Sequence, residues 1–162
     1  MAQAFKVVDQ VIGFQGIHET STTQNHPLGT RCIARDANDG PAEFIYLSGK
    51  NNTVQGTWIY YDLDNYSTAL LVADVIGPVA VAMSANVANQ YGWYGIYGKI
   101  EAQMAASFAD DGHVYFASTG VCDDTISAGN RVQNARGAET IVGAGLAEVQ
   151  LWYPFVNDGL AD

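Results

Sequence analysis

At 162 residues the chain has the length of one domain and can bury roughly 70% of its unfolded surface, so neither a disulfide nor a metal is required for stability. The formal net charge of −10, from 17 acids against 7 bases, repels phosphate backbones, so no nucleic-acid partner is expected. Charged residues make up only 15% against 48% hydrophobic, and with 17 glycines this points to a β-rich domain whose surface neighbours partly cover.

The first stretch, MAQAFKVVDQVIGF, carries one lysine and no continuous apolar run, so no secretory signal is expected. After it, GFQGIHETSTTQNHPLG is mostly turn-forming and polar. Residues 1–28 are therefore expected to form an extended arm that orders against a partner, ahead of one β domain over 29–162.

From there the dominant period is two, with turn signals at intervals of about 8–12 residues. Strands are predicted at Arg31–Arg35, Ala42–Leu47 and Thr57–Tyr61, the second bounded by DANDGP and SGKNN. Thr68–Ala73 and Pro78–Met83 form a further pair. Tyr91–Tyr97 is expected to run through Gly98 into Lys99–Met104, followed by His113–Ala117, Glu139–Val142 and Glu148–Phe155. Pro154 marks a strand end or an edge. Ala82–Gln90 and Glu101–Phe108 are each long enough for a helical turn. The best candidate for a membrane span, Ala69–Met83, is broken by Asp74 and by Gly77-Pro78, so no membrane partner is expected. The fold class is all-β: a single barrel or jelly-roll-like sandwich of about ten strands, with an amino-terminal arm.

No motif with catalytic or metal-binding geometry emerges. His18, His26 and His113 share no ligand spacing, and DANDG at Asp36–Gly40 fails as a calcium loop because Leu47 stands where a bidentate carboxylate is needed. Asp62-Leu63-Asp64-Asn65 fails likewise, and both read as turns with Asx chemistry. Cys32 and Cys122 read as small buried hydrophobes. A Cys122–His113 pair is conceivable across a hairpin, but Asp123 and Asp124 would raise the thiol pKa, the wrong direction for a nucleophile. The expectation is a non-enzyme without cofactor or metal.

What remains is Tyr91–Gly98, YGWYGIYG, with four aromatic rings and three glycines in eight residues. In an extended chain Tyr91, Trp93 and Tyr97 face one way and Tyr94 and Ile96 the other. A glycine-kinked core strand, a protein-facing patch and a sugar platform all fit this composition.

HPLGTRCIARD, GPAEFIYLSGKNNTVQGTWIYYD, IGPVAVAMSANVANQYGWYGIYGK and GLAEVQLWYPFV resemble a group of small virion proteins of tailed bacteriophages, over His26 to Val156. The resemblance implies a capsid decoration, or cement, protein: an all-β domain on the outside of the head that joins subunits of the major capsid protein lattice. It further implies synthesis in the bacterial cytoplasm, a place on the virion exterior, and a homodimer or homotrimer. It supplies no residue-level site. From the residues themselves, the candidate partner-binding groups are Phe5, Val7, Val8, Ile12, Phe14 and Ile17 of the arm. To these are added Tyr91, Trp93, Tyr94 and Tyr97, and the terminal cluster Trp152, Tyr153 and Phe155. The competing expectation is a glycan- or host-surface-binding β module, which needs exposed rings beside polar groups.

Overall fold

A computed structural model describes Gln3, residues 5–7 and residues 14–157. Among them no residue is helical, and twelve strands follow one another. They are β1 (Lys6–Val7), β2 (Thr20–Ser21), β3 (Arg31–Asp36), β4 (Gly40–Ser48), β5 (Trp58–Tyr61) and β6 (Thr68–Leu70). Then come β7 (Gly77–Ala82), β8 (Tyr91–Met104), β9 (His113–Ser118), β10 (Val121–Asp123), β11 (Arg131–Gly137) and β12 (Gly145–Val156). The all-β expectation is met in one large, partly closed sheet.

The 14-residue β8 organises that sheet. Its first half pairs with β4 and β7, which continue outward to β3 and β1 on one side and to β5 and β6 on the other. Its second half pairs with β12 and, through Met104 and Cys122, with β10. From there β10–β9–β11–β12 returns to β8, closing a ring of five strands. A ring removes the unpaired edges that an open sheet exposes to other chains.

Two apolar clusters lie on opposite faces of β8. Trp93 joins Phe44, Trp58, Val81 and the ring interior in the larger one. Tyr94 and Ile96 join Ile45, Leu47, Ile59 and Tyr61 in the smaller one, which Tyr66 and Leu70 partly cover. Strands buried on both faces lose the period-two pattern, so TWIYY and EFIYL read as continuous apolar runs. The strand expected at Glu139–Val142 is not there; those residues are irregular, and the strand lies earlier, at β11. Neither expected helical turn forms: β8 continues to Met104, and residues 83–90 are a loop around the buried Asn86.

A bulge resets the phase of β8. Glu43 of β4 opposes Tyr97 and Phe44 opposes Gly95, so one extra residue, Ile96, sits on β8. Before the bulge Trp93 points into the larger core; after it Ile100, Ala102 and Met104 do. Tyr97 therefore shares the outer face with Tyr94 and Ile96, and not the face of Trp93 as strict alternation predicts. Gly98 stands just beyond the bulge at φ +96°, a conformation glycine adopts without the steric cost of a side chain.

The described part of the amino-terminal segment lies on its own domain, not extended away from it. Gln15 is the tie. Its Oε1 accepts from the Tyr46 hydroxyl (2.7 Å) and Asn25 Nδ2 (3.0 Å), and its Nε2 donates to the carbonyls of Glu19 (2.8 Å) and Tyr91 (2.9 Å). Its own carbonyl accepts from Trp93 Nε1 at 2.9 Å, and its N–H donates to His26 Nε2 at 3.2 Å. Phe14 stacks on Trp93 with centroids 5.1 Å apart, and Phe5 meets Phe44 edge-on at 4.9 Å.

The His26 contact makes this tie sensitive to pH. An imidazole nitrogen that accepts an N–H must be unprotonated, and burial lowers the His26 pKa below its usual value. The unfolded chain then binds a proton that the folded one refuses. This stabilisation is complete above the free imidazole pKa of about 6.5 and is lost as pH falls below it. Urea midpoints measured from about pH 7.5 down to about pH 5 should fall more steeply for the wild type than for His26→Gln. Equal slopes would show that His26 does not titrate differently on folding.

Candidate functional site

Three strands bring exposed apolar and basic groups to one outer face. Along β3 the pattern is strictly alternating: Cys32, Ala34 and Asp36 are buried, while Arg31, Ile33 and Arg35 point out. Beyond the bulge β8 presents Tyr97 and Lys99 on that side. On β12, Ala147, Val149 and Leu151 fill the core, and Trp152 emerges as the direct cross-strand partner of Tyr97.

A second bulge then breaks the period of β12. Gln133 opposes Phe155 and Ala135 opposes Leu151, so four steps of β12 match two of β11. Tyr153 takes the left-handed conformation, φ +55°, with Asn134 opposite at +58°. A tyrosine at positive φ carries strain of about 1–3 kcal/mol, which the surrounding contacts must offset. The result is that consecutive side chains, Trp152 and Tyr153, both reach solvent.

The exposed fractions decide what this region is. Ile33 is 43% exposed, Tyr97 37%, Trp152 42%, Tyr153 47% and Phe155 38%. Large side chains are normally hidden, and a group of them on one face marks an interaction surface. Tyr153 is held in place from three directions. Its hydroxyl donates to Glu43 Oε2 at 2.7 Å, its ring lies 5.4 Å from that of Tyr97, and the Arg31 guanidinium sits 5.8 Å from its centroid. Arg31 also pairs with Glu43 Oε1 at 3.4 Å. The bond to Glu43 is the main reason the Tyr153 hydroxyl pKa is raised, with desolvation second, so the hydroxyl remains a donor. These rings are therefore fixed and not splayed at random.

Two shallow hollows flank the Tyr153 ring. One, of about 120 Å³, is lined by Ile33, Pro41, Ala42, Glu43 and Tyr97; the other, of about 250 Å³, lies between Arg31, Leu63, Pro78 and Phe155. Both fall below the ~300–1,000 Å³ of pockets that engulf small ligands. The face suits a broad partner.

Of the residues singled out from the sequence, the structure gathers Tyr97, Trp152, Tyr153 and Phe155 into this face. Trp93 and Tyr94 are fully enclosed, one in each apolar cluster, because β8 is covered on both sides over its first half. They are core residues, as are Ile17 and Phe5. Phe14 and Tyr91 are half-buried against the larger core. Val7 belongs to β1, and Val8 and Ile12 lie outside the described residues. Missed from the sequence were Arg31, Ile33, Arg35 and Glu43, although the alternation of RCIAR does place an isoleucine in the charged, outward row.

The other candidate chemistry resolves into structure. Asp36 Oδ1 accepts from the N–H groups of Asn38 (2.7 Å) and Asp39 (3.2 Å), and Asp62 Oδ1 from those of Asp64 (2.8 Å) and Asn65 (3.0 Å). These are Asx turns. Cys122 is sealed in the core, where burial first and Asp123 second raise its thiol pKa well above the usual value. An activated nucleophile needs the opposite shift. His113 instead lies 2.9 Å from Arg131 through its Nδ1. No protein family, curated protein or solved structure matches the chain.

Proposed function

We propose that this chain is a non-enzymatic decoration protein of a phage head, attached to the outer surface of the expanded shell and bridging subunits of the major capsid protein. The observation that carries this reading is the exposed aromatic face of Tyr97, Trp152, Tyr153 and Phe155, with Tyr153 held in place by Glu43 and Tyr97. Exposed, rigid aromatics that lose little rotamer freedom are the residues that dominate protein–protein affinity. The net charge of −10 keeps a free subunit dispersed and away from packaged DNA. A subunit whose footprint matches only the expanded lattice stabilises that state by about 2.7 kcal/mol per site at a hundredfold excess over Kd. Repeated over a shell, modest contacts resist the pressure of the genome.

Co-sedimentation with expanded and unexpanded head shells assembled without the protein tests this. Saturable binding to expanded shells alone, at a fixed ratio to capsid subunits, is the expected result; binding to neither sinks the reading. Trp152→Ala and Tyr153→Ala should each weaken shell binding about thirtyfold or more, the size of an interface hot spot. Their thermal stability should fall only modestly, because the two side chains are 42% and 47% exposed and Tyr153→Ala gives up one surface hydrogen bond to Glu43.

A glycan- or host-surface-binding module is the second reading, favoured by one feature. The Tyr153 and Tyr97 rings stand beside the carboxylate of Glu43 and the guanidinium of Arg31. Of the three tryptophans Trp58 and Trp93 are enclosed, so a sugar stacking here would quench Trp152 alone. Quenching that disappears in Trp152→Phe would favour this second reading.

A further inference from the structure

We infer that the surface received by this face is acidic: carboxylates of the lattice subunit pair with Lys6 and Arg35 while its apolar groups cover Ile33, Tyr97 and Trp152. The inference rests on the decoration reading and names the chemistry of the partner at that same face. Four of the chain's seven basic residues, Lys6, Arg31, Arg35 and Lys99, lie on the outer side of β1, β3 and β8. Two of the four are already neutralised. Arg31 pairs with Glu43 at 3.4 Å, and Lys99 with Glu148 at 2.8 Å and Asp39 at 3.5 Å.

Lys6 and Arg35 are different. They are direct cross-strand partners on β1 and β3, both exposed, and neither has a salt bridge among the described residues. Like charges directly opposite each other destabilise a sheet. In a chain with 17 acids a carboxylate to separate them is readily available, yet among the described residues none forms an ion pair with either. Ile33 sits between Arg31 and Arg35 on the same outward row. Any partner that covers Ile33 and the neighbouring rings must also desolvate this basic corner. A charge buried at an interface without a counter-charge costs several kcal/mol, so the partner must supply carboxylates there. The rest of the surface, which carries the net negative charge, repels such a partner and so fixes which side docks.

The same corner could hold a nucleic-acid strand, but two cations on a chain of net charge −10 make a poor phosphate track. The test is co-sedimentation with expanded shells at low and high salt, using the wild type, Lys6→Gln/Arg35→Gln, Lys6→Glu/Arg35→Glu and Lys50→Glu. Lys50 lies beyond the opposite end of β4 and reports the effect of net charge alone. Wild-type binding should weaken with salt. The glutamine pair should bind about tenfold more weakly and the glutamate pair weaker still, with Lys50→Glu unchanged. Neutralising two opposed cations should not lower the melting temperature, so the glutamine pair stays interpretable even if the glutamate pair folds poorly. Wild-type binding to expanded shells that none of these variants alters would overturn the acidic seat and leave the decoration reading intact. Absence of wild-type binding to either shell removes both. A labelled single-stranded oligonucleotide bound by the wild type and released in the glutamine pair would assign the corner to nucleic acid, and overturn the inference.

Discussion

Replacing Gly98 with valine is expected to lower unfolding stability by about 3–5 kcal/mol, a large part of the roughly 5–15 kcal/mol that holds a typical domain together. Two effects add. A β-branched residue at φ +96° is strained by about 1–3 kcal/mol. A Cβ at this site would also lie 2.7 Å from the Pro41 carbonyl oxygen, 2.8 Å from Ala42 Cβ and 2.9 Å from Ala42 Cα. Those atoms belong to the start of β4, where Ala42 is buried in the larger cluster, so they cannot retreat without disturbing it, and overpacking costs about another 1–3 kcal/mol. Gly98→Ala meets the same atoms without the branch and should fall between valine and wild type. Denaturant midpoints at constant m-value measure the difference. A valine variant as stable as the wild type would mean that the chain does not turn through positive φ here.

The consequence reaches the outer face. The bulge beside Gly98 sets the phase of everything after it on β8, and so puts Tyr97 opposite Trp152 on the outside. A variant that removes the bulge would turn Tyr97 inward and Ile100 outward, since a shift of one residue exchanges the faces of a strand. Shell binding by Gly98→Ala should therefore fall further than its loss of stability alone accounts for.

This bulge also explains what could be read from the sequence. Strands with clear boundaries or a burial pattern of period two or continuous apolar character, such as β3, β4, β5, β7 and β12, stand where the residues indicate. YGWYGIYG was legible as a glycine-kinked strand running through Gly98, as it does; the bulge at Ile96, which exchanges the faces of everything after it, was not. The β11 segment, RVQNARG, hides its alternation because Asn134 inserts a left-handed step between Val132 and Ala135. The outer face was half legible for the same reason. Period two assigns opposite faces to Trp152 and Tyr153, and only the bulge in β12 brings both into solvent. A hydrogen bond across 110 residues, from the Tyr153 hydroxyl to Glu43, has no local signal at all.

The amino-terminal segment was the hardest to read, because polar side chains hold it, and a search for apolar periodicity treats those as loop. Gln15→Leu puts this to the test, and its expected cost is about 3–5 kcal/mol. Leucine preserves the volume and the backbone contacts, so what disappears is the amide. The Tyr46 hydroxyl, buried with its residue, loses its acceptor, and the Tyr91 carbonyl loses a donor. Each buried polar group left without a partner costs about 1–3 kcal/mol, with the loosened stacking of Phe14 on Trp93 in addition. Gln15→Glu should be no milder, since its second oxygen would face the carbonyls of Glu19 and Tyr91 that the amide now serves. Hydrogen exchange separates the two ways the segment can fail. If residues 14–26 are a tie that can open alone, their amides in the leucine variant exchange well before those of β8. If the tie is part of the core, both exchange together and the whole transition moves to lower denaturant. The second outcome is expected, because Trp93, enclosed in the larger cluster, donates its indole N–H to Gln15 itself. A leucine variant with an unchanged midpoint and unchanged exchange would show that the segment is an arm after all, resting on the domain without holding it.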